Sequence, residues 1–301
     1  MIFLNNIFAE SDRIKESIKK YGYAPEHNFW CYACEEESDL KAVFAESKDG
    51  SGLLTLEEEN KKICYVFSSP VAPPSYRIEV IIEYLNFIFE TKEVKKIGFE
   101  LEQGLYENLI KALPDKFKAR RIIDTLIWPV HDLKIFDEKL SGGEWKKLRK
   151  LNNKLYREHT IEIADAKTYG NKDALHNLIK ECEEKRAAGD RAYFSSYHEF
   201  VEKNFEGTDE ARIFIIDGKA CGINAGWMIP NSNTFYGAIM LHNYSISGLG
   251  EALCLENLLF LKSHGYNQVN TGGGDKESVK FKNRFHPQYS YKTYYFYIVR
   301  K

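Results

Sequence analysis

Gly248 and Gly250 fall in the stretch Asn-Tyr-Ser-Ile-Ser-Gly-Leu-Gly-Glu-Ala, residues 243–252, where a strand ends and a helix begins. Glycines at such a turn let backbone N–H groups approach an anion, and the positive helix end adds to the attraction. Ser247, Gly248 and Gly250 are therefore candidate donor-binding residues, with a simple tight turn as the alternative. A second cluster, Thr271-Gly272-Gly273-Gly274-Asp275, also follows a strand and precedes a helix. Consecutive glycines lose much backbone entropy on folding unless the chain must bend sharply or admit a ligand, so Gly273 and Gly274 join the donor-binding candidates. Asp275 fits two roles: an N-cap for the next helix, or the group that holds an attacking amine and takes its proton. Glu251 has the same ambiguity, since an acid in the first helical turn is favourable on its own.

On the helix after the second cluster, Lys276, Lys280 and Arg284 recur at i, i+4 and i+8, a basic stripe apart from Phe281 and Phe285. Asp275 and Glu251 are candidates for holding or deprotonating a nucleophile, and Lys280 or Lys282 for neutralising negative charge on a bound ligand. No Ser-His-Asp or Cys-His arrangement is legible, and the 8 histidines are scattered. Trp227 and Tyr236 stand on strands near the expected cleft, as acceptor-pocket walls or as core. Cys31-Tyr-Ala-Cys34 has the spacing of a redox or zinc half-site, but no second pair of matching spacing follows. Reduced, packed thiols and no metal site are expected of all 6 cysteines.

The segment 142–157 places Leu148, Leu151 and Leu155 within about 60° of one another at 100° per residue. Lys146, Lys147, Arg149, Lys150, Lys154 and Arg157 occupy the other side. Such an amphipathic basic helix suits a nucleic-acid backbone or an anionic membrane surface, with a solvated connecting helix as the plain alternative.

The elements that must position these residues repeat. The chain has 301 residues, 44% hydrophobic and 29% charged, the usage of an ordinary folded protein of about two domains. No apolar run reaches the length of a membrane span, and residues 1–9 lack the basic leader and long apolar region of a secretory signal, so a cytoplasmic protein is expected. Residues 1–138 carry 18 Lys and Arg against 25 Asp and Glu, while 139–301 carry 24 against 19, so a polyanion would meet the second half. Periodicity predicts helices at 11–21, 76–91 and 104–113 and strands at 39–46, 62–67, 96–100 and 121–128 in the first half. The second half is expected to hold strands at 160–164, 211–217, 219–228, 234–241, 268–271 and 290–299, with helices at 172–187, 251–264 and 276–285. The two domains, 1–138 and 139–301, then share one order of antiparallel strands, helix, strand, helix and closing strand, the second beginning with the basic helix at 139–157.

That order resembles a GNAT acyltransferase domain, which implies an α+β chain of two tandem GNAT-like domains, each a mixed central sheet flanked by helices. The 243–252 turn resembles the acyl-CoA pyrophosphate loop of GNAT enzymes, Q/R-x-x-G-x-G/A, with Ser245 in place of the leading Gln or Arg. Three further stretches resemble the phosphatidylglycerol lysyltransferase C-terminal domain family, relatives of the FemABX peptidyltransferases. They are Trp145-Lys-Lys-Leu-Arg149-Lys-Leu-Asn152, Glu184-Lys-Arg186, and Gly273-Gly-Asp275 with Lys280-Phe-Lys282 and Phe285-His-Pro287. The resemblance implies aminoacyl transfer from aminoacyl-tRNA to an amine or hydroxyl acceptor without a covalent intermediate. It implies aminoacyl-tRNA or acyl-CoA as co-substrate, no tightly bound cofactor, and a small-molecule or lipid acceptor with peripheral membrane contact. Lys146, Arg149, Lys150 and Arg186 become the candidate tRNA- or anion-binding residues. Two further readings keep the fold: an acetyl-CoA-dependent N-acetyltransferase of a small amine, and a non-catalytic RNA- or anion-binding protein.

Overall fold

A computed structural model describes residues 1–36, 39–185 and 194–301. In chain order the first half gives β1 (Ile2–Leu4), α1 (Ser11–Tyr21), α2 (Phe29–Ala33), β2 (Lys41–Glu46), β3 (Gly52–Glu58), β4 (Ile63–Val66), α3 (Arg77–Thr91), β5 (Lys96–Glu102), α4 (Gln103–Ala112), β6 (Phe117–Ala119) and β7 (Asp124–Asp132). The second gives α5 (Lys146–Glu158), β8 (Ile161–Asp165), α6 (Lys172–Lys185), α7 (Phe194–Glu202), β9 (Glu210–Ile216), β10 (Lys219–Met228), β11 (Thr234–His242), α8 (Leu249–Ser263), β12 (Gln268–Asn270), α9 (Lys276–Lys282) and β13 (Tyr289–Arg300).

All of these strands join one mixed sheet in the order β1-β2-β3-β4-β5-β13-β7-β12-β11-β10-β9-β8, with β6 also pairing along β13. Each half contains one parallel pair, β4 with β5 and β11 with β12. A parallel pair needs a crossover, and α3 and α8 supply it. The closing strands are exchanged between the halves. β13 lies between β5 and β7, while β7 carries the sheet on to β12.

Apolar clusters line both faces. Ile81, Leu85 and Ile88 of α3 pack on Ile97, Phe99 and Leu101 of β5 and on Phe296 and Ile298 of β13. On the opposite face α1 and α2 bury Ile14, Phe29 and Tyr32 against Phe44 and Leu54. In the second half Leu178, Ile179 and Cys182 of α6 meet Ile213, Ile223 and Trp227, and Trp30 and Cys31 of α2 reach the same cluster. The helices α5 and α8 cover the other side through Leu148, Leu155, Leu253 and Leu258.

The chain departs from the sequence reading at several elements. Strands β1, β3 and β6 and helices α2 and α7 were not expected, and β3 and α2 show why. The run Glu57-Glu58-Glu59 hides β3, although Leu53, Leu54 and Leu56 are all buried there, both faces of the strand being covered. Helix α2 has 5 residues, too few to show a period, and exists because the Asn28 side chain accepts from the Trp30 and Cys31 N–H groups. The basic helix starts at Lys146, not 139, because Gly142 adopts a positive φ of 88° and the chain turns there. Helix 276–285 is α9 followed by a 3-10 turn at Asn283–Phe285. The last residues of the helix expected at 172–187 lie outside the described residues. Asp217 and Gly218 make the hairpin turn between β9 and β10, both residues having positive φ.

Candidate functional site

Where the two halves meet, a cavity of about 210 Å³ opens on one face of the sheet. Glu100 and Glu102 of β5, Tyr291 and Thr293 of β13, Trp128 of β7 and Asn270 of β12 form its floor, and Tyr23 to Glu26, between α1 and α2, form its roof. The strand exchange creates this floor, since β13 brings Tyr291 and Thr293 between strands of the first half. On β5 the two glutamates alternate with buried Phe99 and Leu101, so one face is core and the other polar.

The roof is fastened at both ends. His27 Nδ1 accepts from the N–H groups of Tyr23, at 2.9 Å, and Ala24, at 3.3 Å. Its Nε2 is 2.7 Å from the Ser69 carbonyl and must donate to it, which fixes the neutral tautomer. Burial accordingly lowers the His27 imidazole to about 4. Trp227 donates its indole N–H to the Pro25 carbonyl at 2.8 Å, and Asn28 donates to the Gly207 carbonyl at 2.8 Å. Both second bonds cross from the first half to the second.

Inside, Glu100 accepts a hydrogen bond of 2.7 Å from Thr293 Oγ1, which in turn accepts 2.9 Å from Trp128 Nε1. Asn270 donates to the Tyr291 hydroxyl at 2.9 Å, and the Tyr291 ring stacks on Trp128 with centroids 5.7 Å apart. Glu26 faces this acidic, aromatic space, and burial, reinforced by the Glu100 charge, pushes its carboxyl up to about 8. Burial also raises the Tyr23 hydroxyl, against the pull of Arg77, whose guanidinium lies 3.2 Å from the Tyr23 ring centroid.

Several predicted residues sit behind or beside this cavity. Trp227 and Tyr236 form an aromatic chain with it: Trp227 is edge-on to Tyr236 at 5.3 Å, and Tyr236 is 6.2 Å from Trp128. Neither lines the cavity. Gly273 lies under Trp128, where a Cβ would come within 2.6 Å of the indole, so the glycine lets the ring settle over the loop. Gly272 has a φ of 84°, and Gly274 bridges to Ile127. Lys282 is 9% exposed and donates to the Gly272 carbonyl at 2.8 Å, holding the glycine turn in shape. Asp275 is exposed and its carboxylate accepts from the Ser278 N–H at 2.9 Å, the N-cap geometry; that bond holds its carboxyl below the usual range. Lys280 is exposed and 3.6 Å from Glu277.

The other predicted loop lies at the start of α8. Gly248 has φ 84° and precedes the helix; a Cβ on Gly250 would stand 2.8 Å from the His242 ring. One glycine is required by conformation and the other by close approach. Ser247 is exposed, and Glu251 is ion-paired to Arg284 at 2.6 Å. At the place where the loop lacks a Gln or Arg, Lys185 of α6 reaches Ser245 Oγ at 2.6 Å, delivering a cation from another element. On α5, Lys146 and Lys150 are exposed, while Arg149 donates to the Leu140 carbonyl. Arg186 lies outside the described residues. Trp145 and His286, from two of the family-like stretches, meet with ring centroids 4.5 Å apart. All 6 cysteines are free thiols, and burial raises Cys31 and Cys34.

No family model matches the sequence, and no curated protein matches it. Solved structures do. With L-PGS from Bacillus licheniformis the chain shares 14% identity over 96% of its own length and 91% of that chain, at a TM-score of 0.70. With FemX the figures are 13%, 99% and 97%, at 0.64. A tandem GNAT protein from the clavulanic acid biosynthesis pathway matches at 10% identity over 99% and 98%, at 0.57. The chain has the tandem GNAT fold. Its neighbours include those to which residues 145–152, 184–186, 273–275 and 280–287 point, and among the described residues the GNAT fold here contains no helix long and apolar enough to cross a membrane.

The site residues that the sequence reading missed are Glu26, Glu100, Trp128, Tyr291 and Thr293. One signal was available: acids at alternate positions of a strand whose other residues are apolar imply a polar space against that strand. Nothing in the sequence could have shown which other strands share that space.

Proposed function

We propose that this chain is an acyltransferase that transfers an aminoacyl group from aminoacyl-tRNA directly to an amine held in the cavity between its halves. One observation carries the reading. Glu26, raised to about 8 in an acidic, aromatic-walled cavity, has the proton affinity that a general base needs near neutral pH. An acceptor ammonium would be drawn in by Glu100 and Glu102 and by the faces of Tyr291 and Trp128. Glu26 takes one proton from it, and the free amine attacks the acyl carbonyl. The new amide C–N bond forms as the bond to the donor's ribose oxygen breaks, and that oxygen takes up a proton as it leaves.

The chain is divided for this work into units 1–138 and 139–301, which share the cavity. Donor phosphates are assigned to Lys146 and Lys150 on α5 and to the loop of Ser247, Gly248 and Gly250 with Lys185 beside it. Asp275 and Lys282 are assigned to shaping the glycine turn, Trp227 and Tyr236 to backing the acceptor wall. A hydroxyl acceptor, small or lipid, would be deprotonated by the same carboxylate. The protein is placed in the cytoplasm, where aminoacyl-tRNA is made.

A second reading, acetyl transfer from acetyl-CoA, is favoured by the Gly248 and Gly250 turn with its nearby lysine. Thermal shift and binding with coenzyme A, acetyl-CoA and total tRNA at low and moderate salt separate the two, followed by turnover with labelled donors and small amines. Salt-sensitive tRNA binding with aminoacyl transfer is the expected result. Stabilisation by coenzyme A with acetyl transfer would install the second reading, and RNA binding with no turnover of any donor would remove both.

A further inference from the structure

Between β6 and β7 the chain inserts a bulge. Ala119 pairs with Ile298 and Asp124 with Tyr295, so four residues, 120–123, stand opposite Phe296 and Tyr297. The bulge is anchored by backbone bonds, Arg120 N–H to the Tyr297 carbonyl at 2.7 Å and Ile123 N–H to the Tyr295 carbonyl at 2.8 Å. Its four side chains, Arg120, Arg121, Ile122 and Ile123, all point to solvent, the isoleucines 38% and 52% exposed. Residues 116–123 read Lys-Phe-Lys-Ala-Arg-Arg-Ile-Ile, with no acid among them. Lys116 is 3.1 Å from Glu90, but Lys118, Arg120 and Arg121 are in no ion pair among the described residues.

Bulges in a sheet re-aim side chains, and this one aims two large β-branched residues at water among unpaired cations. A polyanion would satisfy the cations and leave the isoleucines wet. Helix α5 has the pattern that suits a nucleic-acid backbone, cations outward and leucines inward. A bilayer with anionic headgroups satisfies both parts of the bulge, phosphates binding the guanidinium groups and the acyl boundary taking the isoleucines. We infer that the bulge at 120–123 docks the protein on an anionic phospholipid surface, with Ile122 and Ile123 inserted and Lys118, Arg120 and Arg121 among the headgroups. This surface is independent of the acyl-transfer reading.

Flotation of the whole chain with vesicles tests it. The chain is expected to float with vesicles of equal parts phosphatidylglycerol and phosphatidylcholine and not with phosphatidylcholine alone. Replacing Arg120→Gln with Arg121→Gln should weaken binding at least about tenfold and flatten its salt dependence. Ile122→Ser with Ile123→Ser should weaken it by about tenfold or more while leaving the salt dependence in place. Both double variants change exposed side chains and should keep the parent melting temperature, and Lys150→Gln with Lys154→Gln on α5 should keep vesicle binding. The inference is overturned if the parent chain does not float, if the isoleucine variant floats like the parent, or if only the α5 variant loses binding. It is also overturned if the bulge variants lose total-tRNA binding in parallel with vesicle binding.

Discussion

The indole N–H of Trp227 donates to the carbonyl of Pro25 at 2.8 Å, across 202 positions of sequence. That bond ties strand β10 of the second half to the roof of a cavity whose acids come from the first. Trp227→Phe keeps most of the ring and deletes the donor, leaving a buried carbonyl unpaired. A stability loss of about 1–3 kcal/mol is expected in urea unfolding. The acceptor KM should rise, because the roof over Glu26 loosens.

Glu26→Gln separates chemistry from stability. The Glu26 carboxyl is raised from 4.5 to about 8, so the folded state favours its protonated form. The stability it contributes is therefore full below pH 4.5 and lost progressively as pH rises through 8. The glutamine variant should match the parent near pH 4 and be more stable above pH 8, while turnover falls at least about a hundredfold. A variant with full turnover and an unchanged pH-rate profile would remove Glu26 as the base.

Two buried histidines set an acid limit. His27 and His131 are both lowered from 6.5 to about 4, chiefly by burial. The unfolded chain binds protons from pH 6.5 downward and the native chain does not until about 4, so stability should fall across that window and level off below it. The slope is about 1.4 kcal/mol per pH unit for each fully neutral histidine. His131 is 0% exposed and its lowering comes chiefly from burial, so His131→Leu should shallow the slope measured by urea unfolding between pH 7 and 4.5.

Asp275→Ala tests a cap. Loss of the bond to the Ser278 N–H should lower stability by about 1 kcal/mol, with turnover per folded molecule close to the parent's. A large fall in turnover at unchanged melting temperature would return Asp275 to the reacting centre.

The exposed cations of α5 are the test of the nucleic-acid face. Lys146→Gln with Lys150→Gln should weaken tRNA binding and reduce the slope of log affinity against log salt by about 1–2. Arg149 is excluded from this variant because it also holds the Leu140 carbonyl.

Much of the fold was readable because its elements are local. The α3 and α8 helices, the β9–β10 hairpin and the three-glycine turn each announce themselves through period, turn residues or glycine placement. The site was not readable in the same way. Glu26, Glu100, Trp128, Asn270 and Thr293 come from five segments, and only the register of β13 against β5 and β7 brings Thr293 between Glu100 and Trp128. Gly273 shows the boundary well: the sequence marks it as a place where something must come close, and the neighbour turns out to be the Trp128 ring.

Strand exchange also imposes an order on assembly. While the chain is being made, the first half emerges before the strands that pair with β7, which are β13 and β12, and with the edge of β5 that Tyr289–Arg300 covers still open. Three open strand edges, one of β5 and both of β7, must therefore be kept from other partners until the whole second half has been synthesised. The first half expressed by itself would keep those open edges, the second half would lack β7 between β13 and β12, and the two halves should reach their native sheet together rather than in turn.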